Sequence, residues 1–170
     1  TSVFFTFESF SAGGGIFLYQ YENTDVTVGD VAVVVNRVGR TGGTTTDDSS
    51  DNKQSDVVTT AGDGDIVLRT KNSKLTLNDG TATVGTLNIS GVAVQAHGSG
   101  NILLEAEQAS TNIEANADVV STSGNITVKA GGSIAFTTDA DIRTGAAGTI
   151  DVEAGVANTH NITMSATSLF

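Results

Sequence analysis

Short runs of alternating apolar and polar residues recur along this chain, and three of them nearly coincide. They are 100–106 (GNILLEA), 124–130 (GNITVKA) and 148–154 (GTIDVEA), whose glycines stand 24 residues apart. An earlier copy, 64–70 (GDIVLRT), lies 36 residues before the first. In each of the three, every second residue is apolar: Ile102, Leu104 and Ala106, then Ile126, Val128 and Ala130, then Ile150, Val152 and Ala154. That is the period of a strand with one face buried, and no stretch carries a sustained helical period. A repeat of this length built on one short strand predicts a solenoid, because a single coil buries no core of its own and must stack on its neighbours.

The coil 124–147 divides into three strands, 125–130, 133–138 and 141–144, with small residues at the corners. The coil before it divides into 101–106, 111–116 and 118–121. The expected fold is all-β, a parallel β-helix (β-solenoid) with about 24 residues per coil and a roughly triangular cross-section. At that pitch the chain makes about seven coils, a rod ~34 Å long at the ~4.8 Å spacing of paired strands. Stacking would also align the outward residues Arg69, Glu105, Lys129 and Glu153 into a ladder of alternating charge. Opposite charges on adjacent strands attract and like charges repel, although each exposed pair contributes little. Asn101 and Asn125 fall in equivalent corners. They are either rungs of an amide ladder or instances of a favoured Gly-Asn turn.

Residues 1–38 are rich in aromatics and Val, and are expected to continue or cap the solenoid. They divide into a strand over 2–10, a second over 16–21 with Phe17, Tyr19 and Tyr21 sharing a face, and one or two strands over 25–38 kinked near Gly29 and Asp30. Residues 39–56 (GRTGGTTTDDSSDNKQSD) hold no apolar pattern and are expected to form an extruded or disordered polar loop. The repeat region then runs over 57–170. Its last run, 160–166 (HNITMSA), arrives too soon for the 24-residue pitch, so that coil is shortened or the run lies on another face.

Composition narrows the function classes. The chain has 170 residues, 20 Gly, no Pro, Cys or Trp, and only 5% aromatics, which suits a thin, regular core of Val, Ile and Ala. Eight Lys and Arg against a net charge of −11 argue against nucleic acid and anionic membranes. No apolar run is long enough for a membrane-inserted helix. Without Cys there is neither a disulfide framework nor a thiolate metal site. The start at Thr1, with no Met or basic leader, suggests a mature product or a slice of a longer polypeptide.

With phrases such as LTLNDGTATVG (75–85), SGNITVKAGGSIAFTTDADIRTGAAGTIDVEAG (123–155) and NITMSATSLF (161–170), the chain resembles the filamentous-haemagglutinin-like repeats of giant bacterial surface and secreted adhesins. The resemblance covers about 14–170. It implies a right-handed parallel β-helix, an extracellular or cell-surface location and a structural or adhesive role. It carries no catalytic residue with it.

Candidate sites are few. Asp63 and Asp65 in AGDGD (61–65) echo one turn of a calcium-binding glycine–aspartate repeat, but a Gly-Asp turn opening a strand accounts for them more simply. Asp47, Asp48 and Asp51 could share a cation in the polar loop, but a solvated acidic loop accounts for them more simply. His97 and His160 are isolated, and the sequons at Asn88, Asn125 and Asn161 fall on repeat strands. The pieces of a pectin-type active site (Asp25, Asp47, Asp48, Arg69, Lys71, His97) occur in the wrong order, and no carboxylate pair sits on a rigid element as glycoside hydrolysis requires. Thr44–Thr46 and Thr81–Thr83 fit no flat ice-binding face. An enzyme and a resident cofactor are therefore not expected. The expected role is a structural module whose partners are copies of itself, head to tail, or adjacent repeats of the same polypeptide. Phe4, Phe5, Phe7, Phe10, Leu169 and Phe170 are the candidate contacts. The alternative is a carbohydrate- or surface-binding module that uses a lateral face bearing Tyr19 and Tyr21.

Overall fold

A computed structural model of the chain describes residues 4–7, 9–30, 35–38, 40–47, 56–80, 89–137, 139–145, 147–155 and 159–168. Its strands are short because each side of a coil is short. The first turns comprise β1 (Phe4–Phe7), β2 (Ser9–Ser11), β3 (Ile16–Gln20) and β4 (Asp25–Val28). A hairpin of β5 (Val35–Val38) and β6 (Thr44–Asp47) follows. The winding resumes with β7 (Val57–Thr59), β8 (Ile66–Thr70) and β9 (Leu75–Leu77), then β10 (Val92–Ala96), β11 (Ile102–Ala106) and β12 (Ile113–Ala115). It ends with β13 (Asp118–Ser121), β14 (Ile126–Ala130), β15 (Ile134–Phe136), β16 (Ile142–Arg143), β17 (Ile150–Glu153) and β18 (Ile162–Met164).

Apart from the hairpin, these strands visit three sheets in strict rotation. Sheet A has the order β1-β4-β9-β12-β15-β18, sheet B β16-β13-β10-β7-β2, and sheet C β17-β14-β11-β8-β3. Every pairing within the three is parallel, and only β5–β6 is antiparallel. This is a three-sided parallel β-helix. Its register is the sequence repeat itself: Ile102 pairs with Ile126, and Ile126 with Ile150. Inward positions therefore form columns, such as Ile16, Ile66, Ile102, Ile126 and Ile150, and beside it Leu18, Leu68, Leu104, Val128 and Val152. Leu75, Ile113 and Ile134 of sheet A and Val57, Val94, Val119 and Ile142 of sheet B fill the same core. Burial of these side chains, at roughly 25 cal/mol per Å² of apolar surface, drives the stacking.

Two insertions explain the uneven spacing. Between β12 and β13 the A-to-B corner holds only Asn116 and Ala117, whereas residues 78–91 occupy it after β9 and residues 29–56 after β4. Both long segments leave the same corner, in successive coils. Asp56, fully buried, accepts a hydrogen bond from Gly80 N through Oδ1 at 3.0 Å and so ties the ends of the two insertions together. Because no described residue of the two segments joins the three sheets, these sheets hold five or six strands among the described residues, fewer than the seven coils expected from length alone.

Several sequence-based boundaries change. The strand expected over 2–10 is two strands, β1 in sheet A and β2 in sheet B. The region 25–38 also splits, into β4 of the solenoid and β5 of the hairpin. The segment 39–56 is not wholly a loop, since Thr44–Asp47 pairs with Val35–Val38. Threonine is β-branched and suits an extended strand even where no apolar alternation reveals one. The run containing Ile162 lies on sheet A against β15, not on the face of the 24-residue repeat.

The repeated glycines have a steric cause. Gly64, Gly100, Gly124 and Gly148 stack at the corner entering sheet C, and none of them needs a left-handed backbone. At each one a Cβ would drive into the carbonyl oxygen of the glycine one coil earlier: Gly14 O for Gly64, Gly64 O for Gly100, Gly100 O for Gly124 and Gly124 O for Gly148. Gly124→Ala is therefore expected to force two coils apart and to destabilise the fold by about 2 kcal/mol, as over-packing does. Urea unfolding followed by circular dichroism measures this. An unchanged midpoint would show that the corner has slack.

Candidate functional site

Beside the glycine column runs a polar ladder that satisfies the corner backbone. Asp65 Oδ1 accepts from Asn101 N at 2.8 Å and from its Nδ2 at 3.0 Å. Asn101 Oδ1 accepts from Asn125 N (2.9 Å) and Nδ2 (3.1 Å). Asn125 Oδ1 accepts from Thr149 N (3.0 Å) and Oγ1 (2.9 Å). The amide ladder is thus real at Asn101 and Asn125, and it is longer than the two asparagines suggest. Asp65 heads it as an acceptor only, and Thr149 ends it as a donor. Similar ties recur at the other corners, where Asn78 accepts from Asn116, which accepts from Thr137 Oγ1 (both 2.8 Å). Asp118 accepts from Asp141 N at 2.8 Å and pairs with Arg143.

The outer face of sheet C carries the charge column. Tyr19, Arg69, Glu105, Lys129 and Glu153 are register partners on five successive strands. Arg69 Nε donates to Glu105 Oε2 at 2.6 Å and its other arm to Glu107 Oε1 at 2.6 Å, while Lys129 Nζ meets Glu153 Oε2 at 3.1 Å. Hydrogen bonding to Glu105 holds the Arg69 guanidinium above its ordinary pKa, and that to Glu153 does the same for the Lys129 ammonium. A shallow groove of about 360 Å³ runs between these side chains and Ala130, Gly131 and Gly155. Its charged groups Glu105, Glu107, Lys129 and Glu153 are already paired.

At one end of this face stand three aromatics on or just after β3. Phe17, Tyr19 and Tyr21 are 72%, 45% and 57% exposed. The Tyr rings meet edge to face at 6.1 Å. Arg69 lies 4.9 Å from the Tyr19 ring centroid and Lys71 3.8 Å from that of Tyr21. Tyr19 Oη donates to Glu107 at 3.3 Å. Desolvation, then that hydrogen bond, raises the Tyr19 phenol, and contact with Tyr21 raises the Lys71 ammonium.

The other sequence-derived residues are dispersed. Asp63 and Asp65 are neighbours at one corner, but each serves the next coil: Asp63 Oδ1 accepts from Ser99 N at 3.1 Å and lies 3.9 Å from His97 Nδ1. Among the described residues no group of three or more His, Cys, Asp or Glu is placed to hold a metal. Phe4, Phe5 and Phe7 stand on β1, an edge of sheet A, and Phe10 on β2, an edge of sheet B. Asp47 ends β6, whereas Asp48, Asp51, Thr81, Thr83, Asn88, Leu169 and Phe170 lie outside the described residues. The sequence signals missed the ladder role of Asp65, and they missed Glu107 and the Asp118–Arg143 pair. The exact 36-residue offset between Asp65 and Asn101 was the one available clue to the first.

No protein-family model, curated protein or solved structure matches the chain.

Reversing one rung tests the outer ladder. Lys129→Glu would place a third carboxylate between those of Glu105 and Glu153. The unfolding midpoint is expected to fall at low ionic strength and to recover most of the loss near 1 M salt, where screening reaches ~3 Å. Because the Lys129 pKa is raised on folding, the wild-type contribution is present below the ordinary lysine range and fades as pH rises through the folded value. Salt-independent loss would mean that packing, not charge, is at stake.

Proposed function

We propose that the chain is a structural repeat module of an extracellular fibre or giant surface adhesin, stacked head to tail into a filament with further coils or with copies of itself. The carrying observation is the incomplete last rung. Ile126, Val128 and Ala130 are 0%, 1% and 3% exposed, while their register partners Ile150 and Val152, with Ala154, are only partly buried, and Ile162 is 44% exposed. A solenoid that ends on its own needs a polar cap, and among the described residues no strand covers β16, β17 or β18 on the far side. An acidic surface and a core of stacked Ile, Leu and Val suit a soluble, load-bearing rod. The role is tested by labelling intact source cells with antibody raised against the folded chain. Surface or fibre labelling is expected, and labelling only after lysis would sink the extracellular role.

The aromatic row favours one second reading, a lateral face that binds carbohydrate. Exposed rings stack on sugars, but Arg69 and Lys71 already lie over Tyr19 and Tyr21. A Tyr19→Ala/Tyr21→Ala variant with unchanged circular dichroism separates the two roles on a glycan array. The structural role expects no binding by either protein, whereas binding by wild type that drops at least tenfold in the variant supports the lateral site.

A further inference from the structure

Both insertions leave from the corner between sheets A and B, opposite sheet C. The outer face of sheet C carries Phe17, Tyr19 and Tyr21, three of the six large apolar side chains exposed among the described residues. Beside them stand Arg69, Lys71 and Lys129, three of the eight Lys and Arg in a chain of net charge −11. Only Glu105 and Glu107 oppose these cations over the first four strands of the face, so the repulsion between acidic copies is least there.

The face is laid out in three outward columns across β3, β8, β11 and β14. Phe17, Val67, Leu103 and Thr127 form the first. Tyr19, Arg69, Glu105 and Lys129 form the second. Tyr21, Lys71, Glu107 and Gly131 form the third, one step beyond the strands. There Lys71 N, Glu107 N and Gly131 N bond to Gln20 O, Thr70 O and Ala106 O of the coil before.

We propose that a second copy of this chain packs on this face, side by side and antiparallel, about a two-fold axis that runs along the strands between β8 and β11. Such an axis sets β3 against the partner's β14 and β8 against the partner's β11, with each column facing its own reverse. Phe17 then falls on the partner's Thr127 and Val67 on the partner's Leu103, in a groove of about 400 Å³ floored by these residues beside Asn101 and Asn125. Tyr19 falls on the partner's Lys129, and Arg69 on the partner's Glu105. Lys71, whose charge is met within the chain by the Tyr21 ring, falls on the partner's Glu107. Tyr21 falls on the partner's Gly131, which has no side chain to obstruct it. Each contact is made twice, as in any isologous interface, and every charge meets its opposite or a ring.

Neighbouring registers fail. An axis through β8 sets Arg69 on Arg69 and Lys71 on Lys71, and one through β11 sets Glu105 on Glu105 and Arg69 on Lys129. Like charges so placed oppose association. An axis between β11 and β14 restores the charge match but leaves Phe17, Tyr19 and Tyr21 uncovered. Rods pointing the same way set the middle column against itself. Four strands at ~4.8 Å spacing make an interface at the small end of the specific range, so the pair is weak and depends on concentration.

Charge exchange reads the register. Lys71→Glu and Glu107→Lys, each alone, set like charges across the axis twice. Each is expected to keep the wild-type circular dichroism and to weaken dimer formation at least tenfold in sedimentation equilibrium. Mixed one to one, the two variants restore both Lys–Glu contacts, so the mixture is expected to form heterodimers to the wild-type extent. Phe17→Ser, at a side chain 72% exposed in the single chain, is expected to keep the melting temperature while weakening dimer formation by a similar factor. Asp151→Ser, on β17 beyond the overlap, is expected to pair like wild type. A wild type that stays monomeric up to millimolar concentration, a Phe17→Ser protein that dimerises normally, or a folded mixture that pairs no better than its components would overturn the proposal. The pairing uses a side of the rod, so none of these results bears on surface labelling or on end-to-end stacking.

Discussion

The distance between hydrogen-bonded strands, ~4.8 Å, governs this molecule. It is close to the van der Waals width of a side chain, so a residue in one coil is in contact with its counterpart in the next. Each position must then tolerate its own kind. Aliphatic side chains stack on aliphatic ones in the core, carboxylates alternate with cations outside, and amides bond to amides at the corners. Where the backbone turns into sheet C even a methyl group is too much, and glycine stands on glycine.

Stacking also disposes of the polar groups that a corner would strand. A strand end leaves amides without ladder partners, and burying them unpaired is costly. Here side-chain oxygens take that place: Asp65, Asn101 and Asn125 accept from the following coil, and Asp25, Asn112 and Ser133 do the same for Lys74, Ser133 and Asn161 at the next corner. With no cysteine to cross-link the chain, stability is a sum over nearest-neighbour coils.

Much of this was legible from alternation and period. The 24-residue offset gave the register of Ile102, Ile126 and Ile150 and the three-strand coil because the most regular coils carry no insertion. Legibility failed where geometry and pattern part. Only residue 8 separates β1 from β2, so apolar alternation runs straight through a corner between two sheets. The hairpin strand Thr44–Asp47 carries no apolar residue and so leaves no apolar signature. The Gly-Asn turn could be recognised, but the carbonyl that forbids a Cβ there belongs to another coil and is invisible along the chain. Asp65 was hidden by its resemblance to a cation turn, although its carboxylate is the first acceptor of a ladder.

The corner between sheets A and B accepts a connection as short as residue 8, between β1 and β2, or as long as residues 29–56, between β4 and β7, while β2 and β7 keep their places in the same sheet. Register on the rod is set by the faces and is indifferent to what hangs from that edge. Such a site behaves as a graft point: variable segments can lengthen, shorten or be exchanged there without re-threading the scaffold, which leaves the outward decoration of the rod free to diverge faster than the rod itself.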